Sequence, residues 1–356
     1  EALNIIYPSE QLDSIIETDE SSTELNSIVG KNGLNRTIKY TVEGSPPTRR
    51  NAEYISTKYG RIFAPSEIGK YSSKIKKICD SVINSTGIVL IYSQYIDGGL
   101  VPIALALEEL GFKRAGGKSL FKDPPKEEID AVTNKEKKDS TDFHASTYAM
   151  ITGDKTLSPH NINEIKMLTS ESNLNGENVR VVLISQAGSE GLDLKFIRQV
   201  HILDPWYNMN RIEQIIGRAV RTCSHKDLPF IKRNVQIFLH GTILKEPREE
   251  AADLYVYRLA EIKAIQIGEV SRVLKQSSVD CLLNTKQTEF TPDILDQIVK
   301  QELSDKQVID YHIGDKPYSA ICDYMKSCQY TCRPDVKISE KDVTLDTYNE
   351  DYIMMN

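Results

Sequence analysis

At 356 residues and 40.2 kDa, with 40% hydrophobic and 27% charged side chains, the chain has the make-up of an ordinary globular protein, which excludes collagen-like, coiled-coil and disordered classes. Its 44 Lys and Arg against 51 Asp and Glu give a formal charge of −7, so a surface for nucleic acid must concentrate its cations locally. No apolar run approaches the ~18–20 residues of a membrane helix and no basic-then-apolar leader opens the chain, so neither a span nor secretion is expected. A start at Glu1 rather than Met is expected of a segment excised from something longer.

Residues 1–64 show no sustained period. The polar Asp19-Glu20-Ser21-Ser22 and the Gly44-Ser45-Pro46-Pro47 break read as loops in an irregular accessory segment. From Pro65 the pattern sharpens. Ile68, Tyr71, Ile75, Ile78 and Val82 recur at steps of 3, 4, 3 and 4, one face of an amphipathic helix. Gly87 follows, then Ile88-Val89-Leu90-Ile91-Tyr92, an apolar run typical of a strand buried on both faces. Leu100, Ile103, Ala104, Leu107 and Leu110 predict a second helix, stopped by Gly111. Residues 112–147 are charged and nearly aperiodic and read as an insertion.

Tyr148 to Thr152 is a short strand, and Ser158-Pro159 opens a helix lined by Ile162, Ile165 and Leu168. Val179–Ser185 and Gln199–Leu203 are strands, and a helix runs from about Met209 to Arg221 with Ile212, Ile215, Ile216 and Ala219 inward. Val235–Leu239 is one more strand. Short β-branched strands alternating with amphipathic helices predict a mostly parallel, doubly wound α/β sheet over residues 65–245. Glu249–Lys275 reads as one long helix, and residues 246–356 as a helical extension with a Cys-bearing tail.

In doubly wound sheets, ligands meet the loops at the carboxyl ends of strands. Two such loops carry chemistry. After the strand at 179–185 comes Gln186-Ala187-Gly188-Ser189-Glu190-Gly191-Leu192-Asp193. Its two glycines, three apart, let backbone amides approach a phosphate, and Asp193 can accept from a sugar hydroxyl. The second is Asp204-Pro205-Trp206-Tyr207-Asn208 followed by the helix. Gln214, Arg218 and Arg221 fall at i, i+4 and i+7, so they share a face suited to a charge-assisted grip on phosphate oxygens. Taken singly, each loop also fits a plain turn or a solvated basic face.

As a pair they strongly resemble motifs V and VI of superfamily 2 helicases and translocases. Gln214 to Arg221 fits the family's Gln-x-x-Gly-Arg-x-x-Arg pattern, and Asp204 to Asn208 is close to the equivalent segment of Swi2/Snf2-type ATPases. Ser93-Gln94 after the first strand would be motif IV, and Thr152-Gly153-Asp154 motif IVa. The likeness covers residues 65–280 and is nearest to the helicase-like ATPases of large cytoplasmic DNA viruses, of the poxvirus early transcription factor small-subunit type and its asfarvirus relatives.

The resemblance implies a second RecA-like lobe, which closes with a first lobe over ATP and Mg2+. Arg218 and Arg221 match the arginine fingers, and Gly191, Asp193 and Gln214 match positions beside the nucleotide. Such a finger stabilises charge on the transferring phosphoryl group and can be worth ~10³–10⁵ in rate. Ser93, Gln94, Thr152, Gly153, Ser185, Gln186, Ala187 and Gly188 match positions that hold the nucleic-acid backbone. The partners implied are DNA, the first lobe and viral transcription or replication proteins, with no membrane. The location implied is the host cytoplasm or viral factory, and the virion in addition. The alternative is a RecA-like interaction module without catalysis.

Two segments are decoys. Arg114-Ala115-Gly116-Gly117-Lys118-Ser119 ends like a P-loop, but Phe112 stands where the leading Gly is required, and a helix rather than a buried strand precedes it. Its Lys113, Arg114 and Lys118 are candidates for touching nucleic acid. Asp19-Glu20-Ser21-Ser22 lacks the apolar strand before a DExx box. The chain alone is therefore expected not to hydrolyse ATP, most of whose contacts belong to the first lobe. Six Cys without a short-spaced framework read as reduced thiols in a cytosol-like compartment. Cys322, Cys328 and Cys332, with Cys281 or His312 as a fourth ligand, are weak zinc candidates: spacings of five and three with Tyr330 between supply no clean knuckle, so zinc is not expected.

Overall fold

The computed structural model describes residues 3–10, 22–43, 49–55, 59–125, 127–139, 142–189, 192–244, 249–283, 297–312, 316–336, 339 and 341. Two compact units are present, Glu1–Arg258 and Leu259–Asn356. In the first, helices α1 (Ser22–Ser27) and α2 (Gly30–Thr37) lead into the antiparallel pair β1 (Ile38–Glu43) and β2 (Arg49–Tyr54). Then follow α3 (Ile68–Tyr71), α4 (Ser73–Ile83), β3 (Ile88–Tyr92), α5 (Val101–Glu109), β4 (Lys113–Arg114) and β5 (Thr147–Ile151). After these come α6 (Asn161–Thr169), β6 (Val181–Ile184), β7 (Ile197–Ile202), α7 (Met209–Ala219) and β8 (Gln236–Leu239).

The six strands β3–β8 form one sheet in the order β4-β5-β6-β3-β7-β8, every neighbouring pair parallel. Parallel neighbours need crossovers, and helices provide them on both faces. Alternate residues of each strand face opposite cores. Val89, Ile91, Met150 and Leu183 pack with Ile75, Ile78 and Val82 of α4 and with α5. Leu90, Tyr92, Ile151, Ile184 and Val200 pack with Leu168 of α6 and with Ile212, Ile215 and Ala219 of α7. Both faces being covered explains why Ile88–Tyr92 is apolar throughout. The architecture is the expected RecA-like doubly wound α/β sheet.

Several local expectations change. The helix foreseen across residues 68–82 is two helices, split at Ser72, whose Oγ caps α4 by accepting from Ile75 N–H at 3.0 Å. Ser158 does not cap α6. It turns inward, donating to Met150 O at 2.6 Å and accepting from Thr152 N–H at 3.1 Å, and the helix starts at Asn161. The presumed insertion is tied to the sheet: Lys113–Arg114 adds the edge strand β4 beside β5, and Glu108 accepts from the Leu120 and Phe121 N–H groups and Tyr148 Oη. Burial pushes the Glu108 carboxyl up to about 7. The segment before Pro65 belongs to the same unit, since Ile5, Tyr7, Leu34, Ile38 and Phe63 are buried in the α4–α5 core.

In the second unit, α8 (Ala252–Ser277), whose first residues lie in the first unit, and α9 (Val279–Leu283) agree with a helical extension, but β9 (Ile298–Glu302) and β10 (Val308–His312) form a hairpin. Arg272 organises the Cys tail. Its guanidinium pairs with Asp323 at 2.8 Å and donates to the Cys322, Ser327 and Gln329 carbonyls. The reading of the tail cysteines as reduced thiols is overturned: Cys281 pairs with Cys332 and Cys322 with Cys328, their Cα atoms 5.7 and 4.6 Å apart. Cys79 and Cys223 are free. No described helix is long and apolar enough to cross a membrane.

His201 on β7 is buried between Gln199 and His240, with Nδ1 2.9 Å from His240 Nε2, and stacks on Phe238. Burial, then the neighbouring His240, pushes its pKa down to about 3. Burial, then Lys74 and Lys77, pushes His240 down to about 4. The unfolded chain takes up these protons near 6.5 while the folded chain refuses them. Their stabilisation is therefore complete above 6.5 and is lost as pH falls toward 4. His201→Gln is expected to flatten the acid limb of stability by about 1.4 kcal/mol per pH unit below 6.5 relative to wild type. Urea titrations at pH 7, 6 and 5 measure this, and parallel limbs would contradict it.

Candidate nucleotide and nucleic-acid site

β5, β6 and β3 are neighbours, so the three loops at their carboxyl ends are brought side by side. Ser185 N–H donates to Ile151 O at 3.2 Å and Ser93 N–H to Ile184 O at 3.3 Å, which continues the ladder into those loops. The two Gly-bearing turns also touch. A Cβ on Gly153 would lie 3.0 Å from Ala187 Cβ, and one on Gly188 would lie 2.0 Å from Ile151 O, so position 188 needs glycine for the close approach. Thr152, Gly153, Ser185 to Gly188, Ser93 and Gln94 thus gather on one ledge, as their motif order implies.

The hydroxyls on that ledge do not face outward. Ser93, Thr152 and Ser185 are buried. Ser93 Oγ donates to Asp204, Thr152 Oγ1 is 2.8 Å from Ser158 Oγ, and Ser185 Oγ accepts from Gly188 N–H at 3.2 Å. Short polar side chains at strand ends satisfy the backbone of the adjoining turn first. The surface offered to a ligand consists of Gly153, Gln186 and Ala187, all exposed, with the half-buried Gln94 and Gly188. Beside it lies a depression of about 610 Å³ lined by Lys155, Ser158, His160 and Asn161 at the start of α6.

The arginine helix has a geometry the sequence did not show. As the crossover from β7 to the parallel β8, α7 must run back along the sheet. Its 11 residues span roughly 16 Å. Its end therefore lies beside the start of β7, where Phe196 N–H donates to Ser224 O and His225 Nε2 is 2.7 Å from Ile197 O. The expectation that both motifs stand at the carboxyl ends of strands is corrected to this extent: Arg218 and Arg221 are carried to the opposite end. There Arg218 Nη1 donates to Leu192 O at 3.1 Å, and Arg221 Nη1 pairs with Asp193 Oδ1 at 3.0 Å.

The Arg221–Asp193 pair is exposed, 40% and 67% for the two side chains, so it is worth at most ~1 kcal/mol and is easily exchanged. Asp193, Lys195, Arg221 and Lys226 line a cleft of about 490 Å³ with Thr222 to Ser224. Three cations against one carboxylate fit a phosphate chain. Gln214 is exposed on the same helix, and Gly191 lies outside the described residues. Trp206 is not free to stack a base, because the Arg211 guanidinium sits 5.4 Å over its ring and the ring packs on the core.

Of the decoy loop, Arg114 is buried, 3.4 Å from Glu164, and donates to Leu157 O, so it cannot reach nucleic acid. Lys113 pairs with Glu128 at 2.7 Å, and Lys118 is exposed. Among the described residues no group of three or more His, Cys, Asp or Glu side chains is placed to hold a metal. Sequence reasoning missed Asn4 and Lys74, which lie buried behind Asp204. Lys74 Nζ pairs with Asp253 at 2.5 Å and donates to Asn4 Oδ1 at 3.1 Å. A lysine in an amphipathic helix gives no signal that it points inward.

Residues 73–223, which hold the ledge and the arginine helix, match the family described as the helicase conserved C-terminal domain. The chain is 29% identical over 229 residues to protein 087L of Invertebrate iridescent virus 3, named as a candidate helicase; the match covers 62% of this chain and 21% of that one. It is 37% identical over 123 residues to protein R350 of Acanthamoeba polyphaga mimivirus, named as a candidate ATP-dependent RNA helicase, covering 33% and 15%. It is 27% identical over 272 residues to a termination factor NPH-I homolog of African swine fever virus, covering 67% and 38%. The chain thus spans well under half the length of these curated relatives. Among solved structures, the C-terminal part of the Fun30 ATPase domain overlaps 55% of this chain and 46% of its own at 17% identity, with a TM-score of 0.35, too slight an overlap to bear on function. Residues 73–223 are a helicase C-terminal lobe of the superfamily 2 type, resembling those of the helicase-like ATPases of large DNA viruses.

Proposed function

We propose that this chain is the C-terminal half of a viral, ATP-dependent nucleic-acid helicase or translocase acting on DNA. The observation that carries the reading is Arg221 beside Asp193 in a cationic cleft, with Arg218 a turn before it at the same end of α7, and a separate ledge of backbone-rich loops at the far end of the sheet. Arg218 and Arg221 supply guanidinium groups to a triphosphate whose Mg2+ and other contacts come mainly from a first lobe. Gln214 and Asp193 border that nucleotide, and the motif V position Gly191 lies outside the described residues. Gly153, Gln186, Ala187, Gly188 and Gln94 hold the nucleic-acid backbone without reading sequence. Ser93, Thr152 and Ser185 shape the ledge from beneath. In this reading the protein works in the host cytoplasm or viral factory, and in the virion in addition, in company with viral transcription or replication proteins.

A labelled single-stranded DNA oligomer titrated with this chain tests the ledge. Because the ledge itself carries no cation, affinity is expected to fall only about threefold between 50 and 200 mM salt, as a single phosphate contact from the neighbouring Lys155 demands. An RNA oligomer of the same sequence is expected to bind more weakly, and tighter RNA binding would reassign the substrate. No binding at any salt would favour an interaction module without catalysis.

A further inference from the structure

The turn between β7 and α7 holds a buried carboxylate that neither the arginines nor the exposed ledge accounts for. Asp204 is 4% exposed. Its Oδ1 accepts from Ser93 Oγ at 2.5 Å and from Asn4 Nδ2 at 3.2 Å, and its Oδ2 from the Gln94 N–H at 3.1 Å. The residues on either side join in. Gln94 Nε2 donates to Pro205 O at 3.2 Å, and Leu203 N–H donates to Tyr92 O at 2.9 Å. The end of β3 is therefore clamped to the three residues that lead into α7.

Lys74 braces the clamp from behind, donating to Leu203 O at 3.2 Å and to the same Asn4 that bonds Asp204. Burying a carboxylate costs several kcal/mol unless donors surround it. Burial pushes the Asp204 carboxyl above its ordinary range, while bonds from Ser93, Gln94 and Asn4 pull it back. No other side chain of this size offers two acceptor oxygens to three donors at once.

We infer that Asp204 is a positioning residue: by clamping Ser93 and Gln94 to the root of α7, it sets where Arg218 and Arg221 are presented at the far end of that helix. The position of the arginines then depends on what occupies the loop after β3, which gives nucleic acid on the ledge a rigid lever to the nucleotide. The inference rests on the reading of this chain as an ATPase lobe.

The test uses the full-length protein that carries this lobe, with ATP turnover measured with and without single-stranded DNA. Asp204→Asn keeps the shape and one acceptor but sets an amide NH2 against the Gln94 N–H. The DNA-stimulated kcat is expected to fall about tenfold or more, with KM for ATP within about twofold of wild type. Adding Ser93→Ala to Asp204→Asn should cost less than the two single losses combined, because both act on one clamp. A carboxylate of merely structural value would lower Tm while leaving kcat per folded enzyme unchanged, and that result overturns the inference.

Should Asp204→Asn fail to fold, Ser93→Ala alone decides: about a threefold loss of kcat at constant KM is expected, and an unchanged kcat overturns the clamp. Arg221→Lys separates the two claims. If it is inactive while Asp204→Asn turns over normally, the clamp falls and the ATPase reading stands. A wild-type protein without DNA-dependent turnover overturns both.

Discussion

Arg221→Lys and Arg218→Lys, each made in the full-length enzyme, are expected to lower ATP turnover by about 10³-fold or more while leaving Tm nearly unchanged. The size follows from charge. Negative charge spreads over the phosphoryl oxygens as the γ-phosphate leaves, and a planar guanidinium offers paired N–H donors to it where an ammonium offers a point charge. The small effect on stability follows from position. Arg221 makes one exposed ion pair and a bond to Gly217 O, and Arg218 one bond to Leu192 O, so neither supports the core. The Asp193 partner does not compete: a triphosphate brings several negative charges against its one. Steady-state ATPase assays together with a melting curve measure both halves of the expectation. Unchanged turnover in both variants would remove the finger assignment.

The largest stability effect is expected at Lys74, buried behind the Asp204 clamp. Its ammonium lies against Asp253 at 2.5 Å, with side-chain exposures of 3% and 9%, and also satisfies Asn4 Oδ1 and Leu203 O. Lys74→Met keeps the length of the side chain but leaves Asp253 charged in a dry place, with only the Thr242 N–H still bonded to it. The expected cost is about 3–5 kcal/mol, or roughly a 10 °C fall in Tm for a domain of this size. Lys74→Met with Asp253→Leu should recover much of the loss, because an apolar pair of similar volume fills the gap without a buried charge. Thermal melts of the single and double variants decide it. A double variant as unstable as the single would mean that the bonds to Asn4 and Leu203, rather than the ion pair, carry the stability.

Strands buried on both faces were legible because nothing but apolar residues survives there, as in Ile88–Tyr92 and Val181–Ile184. Helix α7 was legible to within two residues because its apolar stripe and its Arg spacing share one period. The order of strands and helices, and hence the doubly wound sheet, followed from those patterns and the rule that parallel strands need crossovers. The tail hairpin was not legible, since β9 and β10 are exposed along their length and no core face imposes an alternation on them. Nor was the edge strand β4, two residues long and recognisable only by its pairing with β5.

What the residues by themselves determined was the family of the lobe and the spacing that singles out Arg218 and Arg221, because both are matters of residue type at fixed spacing. Where those arginines stand was decided only by the packed sheet: α7 folds back on β7 and carries them to the end opposite Ser93 and Gln94. The direction of each polar side chain was decided there too. Ser93, Thr152 and Lys74 look in sequence like surface groups and turn inward in the structure, because a buried acceptor within reach outweighs the water they leave, and that acceptor comes from a strand or helix distant in the chain.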